Sequence, residues 1–281
     1  MNTYFYKSQK NIEENFITCK LIGPSKFDGY HNFGLGNQMF QIAAALSFSE
    51  ENKIKAIFPD LKLKKFGNYK ENIFNKLDTT NYKEDEILYE YYEPGFDYSK
   101  IPSYKNIRIH GYFQSEKYFK SNKELIVKTF EPNKDIKKYI HQKYKNILDN
   151  SVSCHVRIGD FKKLEDHHPL LIKTNYYKTA LQKFENKNIL VFSDDIGSCK
   201  KEEIFKKDNV YFIEGETDIV DLYLMSKCKD NIIANSTFSW WGAWLNNNED
   251  KKVYAPLNWF GPSKKVEDKD ILPSSWLKIA N

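Results

Sequence analysis

Between residues 151 and 255, short β-branched or apolar runs alternate with amphipathic stretches, and this alternation constrains the fold more than any other feature of the chain. Ser151–Val156 predicts a strand, Asn175–Glu185 a helix and Asn188–Ser193 a strand. Lys200–Lys207 predicts a helix, Val210–Glu214 a strand and Asp218–Cys228 a helix. Asn231–Ala234, Phe238–Asn246 and Lys252–Ala255 then predict a strand, a helix and a strand. Such a succession implies βαβ units and a parallel sheet. Ligands of these sheets sit at the carboxyl ends of the strands, so candidate site residues are sought there.

The first half is less regular. Phe16–Ile22 predicts a strand, and the helix Asn37–Asn52 follows a glycine loop. Lys55–Phe58 and Asn106–Tyr112 predict strands; Ser115–Phe130 and Lys134–Leu148 predict helices. The last places Ile136, Tyr139, Ile140, Tyr144 and Ile147 on one face and lysines on the other. Packing at a domain junction is favoured for it over contact with an anionic membrane. The expected boundary is near Asn150, giving a less regular α/β domain over 1–150 and a Rossmann-like domain over 151–281. There is no internal repeat and no low-complexity linker.

At 281 residues, with 41% hydrophobic and 16% aromatic content, the chain is long enough for two cores and too apolar for disorder. A net charge of +5 spread over scattered lysines argues against a nucleic-acid binder. No segment approaches the ~18 apolar residues of a membrane span, and Met1–Glu14 has no apolar signal-peptide core. The expectation is a cytoplasmic protein, soluble or peripheral at a membrane surface. Cys19, Cys154, Cys199 and Cys228 lack metal-ligand spacing and read as reduced, buried thiols. Of the 43 basic residues only two are arginine, Arg108 and Arg157, and 41 are lysine. AT-rich coding explains the bias but not the two exceptions.

Arg157 lies in His155-Val156-Arg157-Ile158-Gly159-Asp160, directly after a strand. Its planar fork suits bidentate phosphate recognition, which an ammonium cannot copy; a structural pair with Asp160 is the plainer alternative. Asn235-Ser236-Thr237 follows another strand, where hydroxyls cap a helix or its first amides hold a phosphate. Trp240, Trp241 and Trp244 at helical spacing read as core before sugar platform. Asp194 and Asp195 end a third strand, where they recognise N–H groups or ribose hydroxyls, bind a metal, or cap the next helix. Gly34-Leu35-Gly36-Asn37-Gln38 allows close backbone approach but matches neither GxGxxG nor a Walker loop. His168, in Glu165-Asp166-His167-His168-Pro169, is a titratable loop residue whose default reading is a solvated side chain.

Taken in order, GLGNQMFQ, HVRIGDF, VFSDDI and DLYLMSKCKDNIIANSTFSWWGAWLN resemble glycosyltransferase family eleven, the α-1,2-fucosyltransferases, from about Gly34 to Trp259. The resemblance implies an α/β, GT-B-like fold of two Rossmann-like domains facing a cleft. It implies an inverting transfer of L-fucose from GDP-fucose to the 2-hydroxyl of a galactose-terminated glycan, with no metal and no further cofactor. Arg157 would then grip the β-phosphate, with His155 against the nucleotide and Asp194 or Asp195 on guanine or ribose. Asn235, Ser236 and Thr237 would bind the pyrophosphate, and Gly34, Gly36, Asn37 and Gln38 would approach it from the first domain. Asp160 and His168 are candidate bases for the acceptor hydroxyl. The family commonly writes HxRRGD, and Ile158 here replaces the second arginine. Two alternatives are another GDP-sugar or linkage, and a non-catalytic module that binds GDP-sugar or glycan. Arg108 reads as a core-edge ion pair.

Overall fold

A computed structural model describes residues 15–21, 34–59, 69–264 and 266–281. The chain divides into two compact units, Met1–Glu131 with Val266–Pro273, and Pro132–Lys265 with Ser274–Asn281.

Unit 1 holds a four-stranded parallel sheet of β1 (Phe16–Cys19), β2 (Lys55–Ala56), β3 (Tyr89–Tyr92) and β4 (Ile107–His110), in the order β2-β1-β4-β3. Helix α1 (Leu35–Asn52) is buried on nearly every side, as its Ala43-Ala44-Ala45 centre and flanking Met39, Phe40, Ile42 and Phe48 require. It ends at Lys53, whose left-handed φ of 54° closes the last turn. The expected strand over Phe16–Ile22 is observed to Cys19, and Ile22 lies outside the described residues. The expected helix Ser115–Phe130 is instead two 3-10 turns, Glu116–Tyr118 and Lys120–Asn122, followed by α2 (Lys123–Thr129).

Unit 2 begins with α3 (Lys134–Leu148), capped by the Asn133 side chain, which accepts the Ile136 N–H at 2.9 Å. The sequence boundary near Asn150 therefore moves to Glu131/Pro132. The physical reason is that α3 spends its apolar stripe inside unit 2. Ile140 and Tyr144 are buried, and the Tyr144 hydroxyl donates to Glu216 at 2.6 Å.

The rest of unit 2 alternates as expected through β5 (Ser151–Val156), α4 (Tyr176–Leu181), β6 (Asn188–Ser193), β7 (Val210–Phe212), α6 (Asp218–Lys227), β8 (Asp230–Ile232), α7 (Thr237–Trp244) and β9 (Val253–Pro256), with α5 (Ile196–Cys199) and β10 (Leu277–Ile279) as unexpected additions. The predicted helix Lys200–Lys207 is the exception, with only a 3-10 turn at Glu203–Phe205. All six strands are parallel, in the order β10-β9-β8-β5-β6-β7. Numbered by appearance this is 3-2-1-4-5-6 read from β7, the Rossmann order, whose topological switch lies between β5 and β8.

Strand periodicity divides β5 between two environments. Val152, Cys154 and Val156 enter the apolar core with Tyr176, Tyr177, Ile189, Val191 and Ile232. On the opposite face, the Ser153 hydroxyl accepts from Asn231 Nδ2 at 2.7 Å, and Asn246 Nδ2 donates to Asn231 Oδ1 at 2.9 Å. The buried tyrosines satisfy their hydroxyls on backbone: Tyr176 donates to Ile233 O and Tyr177 to His155 O.

Helix α7 is apolar all round and buried. Trp240 and Trp241 are fully enclosed, and Trp240 packs against Trp244 and Trp276, so the core reading of the tryptophans holds. Gly242 permits the approach to α6, since a Cβ there would meet the Met225 Cβ at 2.9 Å. All four cysteines are free and buried, as expected. Among the described residues no helix is long and apolar enough to cross a membrane.

Candidate active site

The switch between β5 and β8 brings together the two segments that follow those strands, His155–Asp160 and Asn235–Thr237. The segment after β6, Ser193–Asp195, adjoins the first of them through the β5–β6 register His155↔Phe192 and Val156↔Ser193.

Arg157 emerges beyond β5. Its Nη2 donates to Asp160 at 2.7 Å, its Nη1 pairs with Asp194 at 3.1 Å, and its guanidinium lies 5.5 Å from the Phe161 ring centroid. The Arg157–Asp160 pair noted in the sequence thus exists, and the arginine remains a third exposed. Asp194 also accepts the Ile158 N–H at 2.9 Å. A Cβ on Gly159 would stand 2.3 Å from Asp194 Oδ2, so this close approach requires glycine. Ile158 points away into the apolar core and is 2% exposed; the position where the family writes a second arginine is here a packing residue.

Asp195 is engaged in a helix cap and an ion pair. It caps α5 by accepting the Ser198 N–H at 3.0 Å and hydroxyl at 2.7 Å, and Lys162 donates to it at 2.8 Å. These bonds hold its carboxyl well below the usual range. Neither aspartate forms a metal cluster: among the described residues no group of three or more His, Cys, Asp or Glu side chains could hold an ion.

His155 is buried beside Phe238, its Nδ1 without a hydrogen-bond partner. Burial, reinforced by the Arg157 charge, lowers its pKa to about 3, so the imidazole is neutral. Contrary to its default reading, His168 is not a solvated loop histidine. It stacks on Phe161 at 4.6 Å and 17°, close to Phe260, and burial with the nearby Lys264 charge lowers its pKa to about 4. Arg157 and His168 therefore both lie against the Phe161 ring.

Asn235 is buried. Its amide donates to Pro169 O at 3.2 Å and Trp259 O at 3.3 Å, and its Oδ1 has no partner. Ser236 occupies the N-cap of α7, but its hydroxyl makes no cap bond. Thr217 and Asp195 do cap α6 and α5 with their side chains. The start of α7 is therefore left without a side-chain cap, with Thr237 at its first position, an arrangement suited to an anion.

Sequence reasoning missed Asp221. Helix α6 starts on the carboxyl side of the sheet and packs along α7, so its first turns lie beside the site. Asp221 Oδ1 is buried without a partner, and burial, followed by the Glu216 and Asp218 charges, raises the carboxyl to about 7. The available signal was one acidic residue inside the buried run Ile219–Ser226.

Gly34, Gly36, Asn37 and Gln38 belong to unit 1, where they open α1. Asn37 Oδ1 accepts from Gln114 at 3.0 Å, and Gln41 donates to Gly111 O at 2.7 Å, fastening the helix to the segment after β4. Arg108 forms the expected ion pairs, with Glu84 at 2.7 Å and Glu90 at 3.3 Å.

Three comparisons bear on what these units are. An alpha-1,2-colitosyltransferase of Escherichia coli is 35% identical over 269 residues, covering 89% of this chain and 86% of its own length. A galactoside 2-alpha-L-fucosyltransferase of Caenorhabditis elegans is 26% identical over 281 residues, covering 89% and 78%. The crystal structure of the fucosyltransferase NodZ from Bradyrhizobium shares the fold, with a TM-score of 0.52 at 13% identity over 82% of this chain and 92% of that one. The two parallel α/β units are thus the GT-B-like architecture expected from the sequence. The model of glycosyl transferase family 11 matches residues 5–280, and the chain belongs to that family of enzymes.

Proposed function

We propose that the chain transfers L-fucose from GDP-fucose to the 2-hydroxyl of a galactose-containing acceptor glycan, inverting the anomeric centre. The observation that carries this is family membership over nearly the whole chain, joined to an arginine and an uncapped helix start at the switch of a Rossmann sheet. Unit 2 binds the donor nucleotide and unit 1 the acceptor.

The roles follow from the chemistry of the leaving group. Breaking the fucose–phosphate bond builds positive charge on the sugar and negative charge on GDP. The guanidinium of Arg157 takes the β-phosphate, and the α7 start, with Asn235 and Ser236 beside it, takes the remaining pyrophosphate oxygens. Preorganised donors of this kind stabilise developing charge without reorganising during the reaction. Neutral His155 lies against the nucleotide, where a cation would add to the burial cost. The unpaired carboxyl of Asp221, rather than Asp194 or Asp195, accepts the N–H groups of guanine, because the other two are already engaged. An oxocarbenium-like transition state lets the acceptor hydroxyl lose its proton late, so no strong base is needed. Asp160, paired with Arg157, and His168, held neutral in its stack, are the groups nearest that task.

The colitosyl-transferring relative favours one second reading, a donor carrying a related deoxysugar through the same 1,2 linkage. A panel of GDP-sugars against galactose-terminated acceptors, with the product linkage assigned by NMR, separates the two. GDP-fucose turnover to a 1,2-linked product is expected. Turnover confined to a colitose donor supports the second reading. GDP binding with no transfer from any donor makes the chain a binding module.

A further inference from the structure

We propose that Asp194 is the positioning residue of Arg157, and that position 159 is glycine because this carboxylate needs the space. The inference rests on Arg157 as the phosphate-binding group. The two oxygens of Asp194 have separate tasks. Oδ1 accepts the Ile158 N–H at 2.9 Å and so fixes the course of the backbone beyond β5. Oδ2 lies 3.1 Å from Arg157 Nη1 and fixes the direction of the guanidinium. It is also the atom that a Cβ on Gly159 would strike at 2.3 Å, with Cγ at 3.1 Å.

Asp160 cannot do the same work. It is 59% exposed and sits three residues from Arg157 in the same segment, so it moves wherever that segment moves. Asp194 directly follows β6, whose last residue Ser193 pairs with Val156 of β5, and so refers the arginine to the neighbouring strand of the sheet rather than to its own segment. Phe161 supports the guanidinium face at 5.5 Å, which restricts tilt but leaves rotation about the ring normal free. The Asp194 contact removes that freedom. A phosphate arriving at the switch then meets a fork already aimed, and the orientational cost is met by the fold rather than at each turnover.

The substitution Asp194→Asn isolates the role. The amide oxygen can still accept the Ile158 N–H, while its NH2 group faces the guanidinium as donor against donor. The expected loss in kcat is at least about tenfold, short of the ~10²-fold that a misplacement of 1 Å can cause. In an Arg157→Lys background the same change should alter kcat by less than about twofold, since the group it acts through is gone. An equal loss in both backgrounds overturns the proposal, because a merely structural role would be felt regardless of residue 157.

A second arm needs no donor. Only two arginines occur in the chain, so protein labelled with 15N-arginine gives two Nε–H signals, and Arg157→Lys assigns them. Asp194→Asn should shift the Arg157 signal towards that of a freely exchanging side chain and leave the Arg108 signal in place. Gly159→Ala should reproduce the shift. An unmoved Arg157 signal in folded Asp194→Asn protein refutes positioning whatever sugar nucleotide the enzyme uses. Failure of wild type to turn over GDP-fucose would instead refute the proposed donor and leave this result standing.

Discussion

Replacing Arg157 by lysine keeps the charge and removes the fork, which makes it the most direct test of the phosphate site. Arginine has five N–H donors. Here one nitrogen is committed to Asp160 and another to Asp194, and the remaining N–H groups stay available to a phosphate on the exposed side. An ammonium offers three protons from a single atom and cannot span both carboxylates while meeting the phosphate. The loss resembles that of one oxyanion donor, ~2.7–4 kcal/mol or at least ~10²-fold in kcat. Stability should change much less, because the side chain is a third exposed and such pairs contribute about 0.2–1 kcal/mol. For a chain of this size that is a shift in Tm of roughly 2–4 °C at most. The assay is GDP release at saturating donor and acceptor, with Tm measured on the same preparation. A variant that retains kcat within about threefold of wild type, a barrier change under ~1 kcal/mol, refutes the assignment.

Asp221, its carboxyl raised to about 7, must ionise before it accepts two guanine N–H groups, so GDP affinity should increase as pH rises from about 6 to 8. The same shift has the opposite sign for stability: the neutral acid suits the fold, and stability is lost as pH rises from the unfolded carboxyl pKa through 7. Asp221→Asn should therefore gain in Tm over wild type progressively as pH rises from about 4 to 7, while binding GDP less tightly at pH 8; a pH-independent GDP affinity in wild type, by calorimetry, contradicts the assignment. Ile158→Ala removes a 2%-exposed core side chain and should destabilise by ~2–5 kcal/mol in urea unfolding, whereas a change near zero would mean that the side chain does not pack as described. Activity should survive EDTA, and strict dependence on Mg²⁺ or Mn²⁺ would instead favour a metal at Asp194 and Asp195.

Much of the second half was legible because β-branched runs and amphipathic stretches there have different periods. Ser151–Val156 and Asn188–Ser193 are predicted and observed with identical bounds. Lys200–Lys207 failed because a lysine-rich stretch mimics an amphipathic helix when only Phe205 of the segment is deeply buried. Strand β3, Tyr-Glu-Tyr-Tyr, has no β-branched residue and was not read as a strand, while β10 is a short edge strand of three residues. In the site, Arg157 and the Asn235–Thr237 segment were visible because strand-end position and residue type agree. The partition between Asp194 and Asp195 was not, since it depends on which oxygen meets Ile158 and which meets Ser198, a three-dimensional matter. Asp221 was not singled out in the sequence, because the burial of its Oδ1 follows only from how α6 packs.

The return of the chain to unit 1 has a consequence for how the protein is made. Val266–Pro273 completes that unit: Asp270 accepts from Tyr98 N–H at 3.0 Å and Lys117 at 2.5 Å, Lys269 pairs with Asp97, and Ile271 and Leu272 are buried. Domains usually fold in order of their appearance from the ribosome, at ~5–20 residues per second. Here all of Pro132–Lys265 is translated between the body of unit 1 and the segment that closes it. The first unit to emerge is thus the last to be finished, and for on the order of ten seconds at that translation rate it waits with its Ile271–Leu272 seat open. Aggregation during expression should accordingly begin at this vacant seat, and slowing or truncating translation before residue 266 should worsen it.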